Sequence, residues 1–274
     1  MNRLFVVNKP IFISSNNYMY HIKRRYSEKK VGFSGTLDPF ATGSLIVGTG
    51  QYTKLFRFLK KSPKSYRATM WLGAVSETLD IEKVSHIKTV KPFDIKSIED
   101  ALYSTVGNIE YLPPKYSAKK VDGKRAYDLA RSGKDVDLKI ITSTIYSIKM
   151  LHYKHPFVTF EIEVSEGAYI RSIAQILAKK LKVDATLSGL HRLNEGRFRY
   201  QNEKMLNPIE YLNIPKNRYF GDKESLRLGK KQTIDSFEKR KDGKYYIAYD
   251  DFLSVIEIKN QEVKYLLNDI RLNS

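Results

Sequence analysis

Asp38 is the only Asp or Glu between residues 29 and 76, a stretch that carries Lys29, Lys30, Lys54, Arg57, Lys60, Lys61, Lys64 and Arg67. It lies in VGFSGTLDPFATG, residues 31–43. Pro39 steers Asp38 away from helical backbone, so the carboxylate sits on an extended or turn segment. Gly35 and Gly43 allow another backbone or a ligand to come close. A lone carboxylate can serve as a nucleophile or as a base. A glycosidase-like pair needs a second carboxylate, which would have to fold in from a distance. A structural turn Asp capping a local amide is the competing reading. The surrounding cations favour the chemical one, because they hold a carboxylate ionised.

Other chemistries fit less well. Gly43 and Gly48 have P-loop spacing, but Thr49 stands where the lysine belongs. Gly48 and Gly50 begin a dinucleotide fingerprint that lacks its third glycine. His21, His86, His152, His155 and His191 form no metal-binding spacing, so no metal is expected. There are no cysteines, which excludes disulfides and cysteine–zinc sites.

These residues need a scaffold. LFVV reads as a short buried strand, and SSNNYMYHIKRRY as a helix capped by Ser14 or Ser15. SLIVGTG reads as a strand and QYTKLFRFLKK as a helix with Leu55, Phe56 and Leu59 on one face. SYRATMWLGAVS reads as a strand, and DIKSIEDALYSTVGN as a helix capped by Asp94 and stopped at Gly107-Asn108. After an irregular Pro-Pro segment, GKRAYDLARSG predicts a short basic helix ending at Gly133. KIITSTIYSIKMLHY and PFVTFEIEVSE read as long strands, AYIRSIAQILAKKL as a helix, and ATLSGLHRLNEGRF as a strand pair or strand and turn. The order lacks the steady alternation of a doubly wound sheet. The expected class is therefore α+β, or mixed α/β, around a largely antiparallel central sheet flanked by helices.

A boundary is expected near Pro215, giving segments 1–214 and 215–274. The second reads as KYYIAYD, FLSVIEIKN and EVKYLLN, a small mostly-β unit. It holds 13 Lys or Arg against 10 Asp or Glu, so +15 of the net +18 lies in residues 1–214. Such an excess draws polyanions. With 19 Tyr and 13 Phe, the chain also offers faces on which unpaired bases stack. No apolar run is long enough to span a membrane and the first residues are no signal peptide, so a cytoplasmic protein is expected.

GFSGTLDPFATGSLIVGTGQYTK resembles the signature of the TruB family of tRNA pseudouridine synthases. VNKPIFISSNN, KSYRATMWLGAVSETLD, LPPKYSAKKVDGKRAYDLARSG, SEGAYIRSIAQILAKKL and LSGLHRL resemble further motifs of that family, in its order, across residues of about 3–200. LRLGKKQ and FLSVIEIKNQEVKYLLN resemble a PUA-type RNA-binding module.

The resemblance implies a pseudouridine synthase fold over 1–214, an RNA-contacting insertion at about 111–137, and a PUA-like domain at 215–274. It implies that a uridine at position 55 of the tRNA T-arm loop is flipped out, cut at its glycosidic bond, turned and rejoined through C5. Flipping needs a pocket to receive the base. By resemblance Asp38 starts the chemistry as nucleophile or proton acceptor, and Tyr66 stacks on the uracil. Arg171 pairs with Asp38, Tyr169 lines the pocket, and Leu190 packs against the base. Lys9, Phe33, Lys115, Lys119 and Lys120 are the implied RNA contacts. Phe33 departs from the His of many members and cannot donate a hydrogen bond. No cofactor is implied, and the expected state is a monomer with tRNA as partner. Rival readings are a non-catalytic RNA-binding or tRNA-folding protein, or the same chemistry on another RNA.

Overall fold

The computed structural model describes residues 1–117, 119–121, 123–132 and 137–272, with backbone only for Lys120, Val121, Lys124 and Arg131. The chain begins β1 (Arg3–Lys9), α1 (Ser15–Tyr26), β2 (Val31–Ser34), β3 (Thr42–Thr49), β4 (Lys64–Leu72), β5 (Ala74–Ser76) and β6 (Val84–Ile87). It continues with α2 (Ile95–Tyr103), β7 (Gly107–Tyr111), β8 (Lys120–Val121), β9 (Lys124–Arg125), α3 (Ala126–Arg131), β10 (Ile141–Lys154) and β11 (Phe157–Val164). Last come α4 (Ile170–Lys180), β12 (Ala185–Glu195), β13 (Phe198–Arg199), α5 (Lys223–Arg227), β14 (Gly243–Ala248), β15 (Phe252–Lys259) and β16 (Glu262–Arg271). Gly133, the expected stop of α3, lies outside the described residues, as do parts of the 111–137 segment.

The main sheet has nine strands in the order β1-β3-β12-β4-β11-β10-β7, with β2 on β3 and β13 on β12. It is antiparallel except where β12 meets β3 at His191↔Thr42 and Arg192↔Gly43. That short parallel contact is the seam on which the site is built. The main core buries Phe5 and Val7 of β1, Met19 and Ile22 of α1, Ile98 and Leu102 of α2, and Ile173 and Leu177 of α4.

A second core holds Leu4, Val6, Ile46, Tyr52, Leu55 and Phe198 with Leu253 and Ile270 of the C-terminal strands. β1 is thus covered on both faces, which is why LFVV is a continuous apolar run. Strands β14-β15-β16 form a separate sheet. That sheet also has its own core of Tyr219, Leu226, Phe237, Ile247, Phe252 and Ile256.

The QYTKLFRFLKK segment differs from expectation. It is a 3-10 helix, Gly50–Phe58, and its buried residues are Tyr52, Leu55 and Phe58. A spacing of three brings side chains into line when there are three residues per turn, whereas an α-helix would spread them. At the start of α1 the two serines divide their roles. Ser14 caps the helix by accepting from the Asn17 amide at 3.1 Å. Ser15 instead turns inward to the Asp38 loop.

Candidate active site

The Asp38 loop joins β2 to β3 and is held from both sides. On the β1–α1 side, the Ser15 hydroxyl donates to the Leu37 carbonyl at 2.9 Å and accepts from the Leu37 amide at 3.0 Å. The Phe12 amide donates to the Pro39 carbonyl at 2.8 Å. Lys9 supplies the third tie. Its ammonium donates to the carbonyls of Pro10 (2.8 Å), Ile13 (2.7 Å) and Pro39 (3.3 Å). Lys9 is fully buried, so the expectation that it touches RNA is corrected: its donors are committed to carbonyls inside the protein. Burial pushes its pKa down to about 8, against the opposing pull of Asp38.

On the β12 side, Gly43 has φ +106° and a Cβ there would collide with the Arg192 backbone. Gly35 has φ +74° and a Cβ there would run into the Glu195 carboxylate. The close approach anticipated for both glycines is therefore an approach to β12.

Asp38 opens into a cavity of about 300 Å³ lined by Gly35, Lys64, Tyr66, Lys119, Tyr169, Arg171, Leu190 and Arg192 among others. Tyr66 is 6% exposed and Leu190 8%. Both face the cavity from β4 and β12, where Leu190 pairs with Ala68 and Arg192 with Tyr66. Tyr169 caps the N-terminus of α4. Its amide donates to the Tyr111 hydroxyl at 3.0 Å.

Arg171, at the start of α4, is buried and ties three segments together. It lies 2.9 Å from Asp38 and 3.1 Å from Asp80. It also donates to the carbonyls of Thr78 and Tyr116, each at 2.8 Å. Asp80 in turn accepts from the Thr78 hydroxyl at 2.6 Å and the Glu82 amide at 3.0 Å. Asp38 thus has a second carboxylate from a distant part of the chain after all, bound to the same arginine.

The Asp38 carboxylate is deep in the protein and reaches the cavity, with 31% of its side chain exposed. Burial raises its pKa above the ordinary carboxylate value. Arg171 pulls it back down, and Asp80 adds to the rise. Such a group ionises only as pH climbs through its raised pKa, and is then a poorly solvated, reactive anion.

The remaining expected contacts are spread out. Lys119 lines the cavity. Lys115 is exposed, and the side chain of Lys120 lies outside the described residues. Phe33 is half-buried on β2 against the main core. Sequence reasoning missed Asp80, Arg192 and Glu195 as site residues. Asp80 closes the quoted motif SETLD, and an Asp there accepting from the amide two residues on is the local turn pattern that its type allows. Among the described residues no group of three or more His, Asp or Glu could hold a metal ion, and no helix is long and apolar enough to cross a membrane.

Residues 23–170 match the family model described as TruB family pseudouridylate synthase, N-terminal domain. The tRNA pseudouridine synthase B of a Sulfurovum species is 61% identical over 270 residues, 98% of each chain. That of a Nitratiruptor species is 55% identical over the same share of each chain. That of Campylobacter curvus is 51% identical over 98% of this chain and 99% of its own. Among solved structures, a chain of a Cbf5-Nop10-Gar1 complex aligns with a TM-score of 0.66 at 18% identity, covering 99% of this chain and 84% of that one. A chain of an H/ACA RNP bound to a substrate RNA containing 2'-deoxyuridine gives 0.66 at 17% identity, covering 99% and 85%. These two share the fold. With a family model matching more than half its length, and relatives more than half identical almost end to end, the chain belongs to the TruB family of pseudouridylate synthases.

Proposed function

We propose that this protein converts uridine to pseudouridine at position 55 in the T-arm loop of tRNA, with Asp38 as the catalytic carboxylate. The observation that carries the reading is the Asp38–Arg171 pair at 2.9 Å, opening into a cavity lined by Tyr66 and Leu190. The relatives named tRNA pseudouridine synthase B support tRNA as the substrate.

A stacked uridine is out of reach in place, so it must be flipped into the cavity. Tyr66 supplies a face for the uracil, and Leu190 and Tyr169 supply walls. Once ionised, Asp38 acts as nucleophile or proton acceptor while the N1–C1' bond breaks and the C5–C1' bond forms. The C5 proton leaves and N1 ends protonated, so the reaction is an isomerisation with no net redox change and no cofactor.

The +18 charge draws the RNA in. Residues 215–274 act as a PUA-like unit that adds affinity, and the 111–137 insertion grips the arm. The enzyme works as a cytoplasmic monomer. The test is to incubate unmodified tRNA with the purified protein and map pseudouridine by base. Isomerisation at position 55 is expected. RNA binding with no pseudouridine formed would favour a non-catalytic binding protein on this scaffold, and isomerisation of another RNA alone would move the substrate.

A further inference from the structure

β12 carries a bulge between Arg192 and Asn194, where the partners on β4 advance only from Tyr66 to Ser65. In a regular strand residues three apart point to opposite faces, and one inserted residue brings them to the same face. The bulge therefore places Glu195, opposite Lys64, on the cavity side with Arg192, opposite Tyr66. Glu195 is fully buried, 2.8 Å from the Lys64 ammonium and 3.0 Å from the Arg192 guanidinium. Neither contact has the angle of a directed hydrogen bond. What Glu195 supplies to the two cations is charge.

The triad sits beneath the Asp38 loop. Arg192 donates to the Gly35 carbonyl at 2.7 Å and to the Ser44 carbonyl at 2.8 Å, one on each side of Asp38. Gly35, at φ +74°, rests on the Glu195 carboxylate so closely that a Cβ there would force the carboxylate to shift. Without that negative charge, Lys64 and Arg192 repel each other in a buried place, and the hold of the arginine on both ends of the loop is strained while it stays beside the site.

We infer that Glu195 is a positioning residue for this reaction: through Arg192 and Gly35 it sets where the Asp38 carboxylate stands. This rests on the isomerase reading above. Glu195 touches no reacting atom, so removing its charge should act on turnover more than on RNA binding. It should also act on ionisation. Asp38 is faced by Arg171 from α4, Asp80 and Glu82 from the segment after β5, Lys9 from β1, Arg192 from β12, and Tyr169 at the start of α4. With Glu195 neutral, Arg192 acts on Asp38 unshared.

The experiment compares wild type, Glu195→Gln and Gly35→Ala on unmodified tRNA, as kcat and KM across pH. Glu195→Gln keeps the shape and removes the charge. It should lower kcat by about tenfold to a hundredfold, as small misplacements do, with KM changed less than about threefold. The acid limb of its kcat profile should move to lower pH. Gly35→Ala attacks the same contact from the loop side with every charge kept. It should lower kcat similarly without moving the acid limb, and it serves alone if Glu195→Gln does not fold. A normal kcat in either folded variant would overturn the inference. So would a Glu195→Gln loss with an unmoved acid limb, the mark of a merely structural residue. A wild-type protein that forms no pseudouridine would instead strike down the isomerase reading.

Discussion

The ion pairs around the cavity and those on the C-terminal part use the same residue types in opposite ways. Arg171–Asp80 has side chains 4% and 3% exposed, and Arg192–Glu195 has 1% and 0%. On the C-terminal part, Lys223–Asp251 is 48% and 48% exposed and Arg240–Asp235 is 56% and 77%. Exposed pairs are screened and add little stability. Buried pairs carry a desolvation penalty that can exceed their attraction, so stability alone is a weak reason to have them. Around Asp38 their work is positional. Arg171 joins Asp38, Asp80, Thr78 and Tyr116, and Arg192 joins Gly35, Ser44 and Glu195. Removing a partner from the first group should change chemistry, and removing one from the second should change almost nothing.

The largest break is Asp38→Asn. Pseudouridine formation should vanish while tRNA affinity stays within about tenfold, because contacts elsewhere hold the RNA. Measurable turnover by Asp38→Ala would end its assignment as the catalytic carboxylate.

Next is Arg171→Met, which leaves two carboxylates without their shared cation. Breaking a buried pair should cost about 3–5 kcal/mol of folding stability, and most of the activity should go with the lost alignment of Asp38. The pH profile gives the sign. Wild-type turnover should fall on its acid side above the ordinary carboxylate range, since burial raises the Asp38 pKa despite Arg171. Without Arg171 the pKa rises further, so the residual rate should climb with pH over a higher window. Arg171→Lys should retain more than Arg171→Met, lacking only the planar fork. A near-normal rate with an unmoved profile in Arg171→Met would make the pair decorative.

A smaller effect tests the C-terminal part as an RNA surface. Lys216, Arg218 and Lys239 surround a cavity there of about 540 Å³. Replacing Arg218 and Lys239 by Glu should weaken tRNA binding and flatten the log Kd against log salt slope by about 1–2, with kcat at saturating tRNA unchanged. An unaltered slope would leave this part a purely structural partner of β1. Its Leu253 and Ile270 share a core with Leu4 and Val6, so substitutions test it more cleanly than truncation.

The smallest effect should come from Lys223→Ala. Losing its exposed pair with Asp251 should shift the melting midpoint by no more than about 2 °C. A larger shift would blur the contrast between the two groups of pairs.

Much of this was legible along the chain. Alternating and continuous apolar runs announced most of the strands, and Asp94 caps α2 through the Ser97 amide as its type and place suggested. Asp38 was conspicuous because no other acid stands near it in the chain. Motif order brought in Tyr66, Tyr169, Arg171 and Leu190, and the fold gathers all four around one cavity. The resemblance implies Lys9 as an RNA contact, and nothing local in the chain shows that it is buried. Only the folding of the 10–13 and 37–39 segments around it supplies the three carbonyls that bury it.

What the sequence by itself determined is local: helix caps, strand periodicity, the backbone of an Asp before a Pro, and two glycines that allow close approach. What the tertiary structure decided is which side chains share a face and which charges meet. Parity along LHRLNEG puts Glu195 opposite in facing to Leu190 and Arg192, and it reads as a turn acid. The bulge after Arg192 reverses that, because the ladder with β4 slips by one residue there. No local preference of residues 190–196 encodes the slip. It follows from β12 pairing with β4 on one edge and β3 on the other, and from Gly35 and Gly43 leaving room for it.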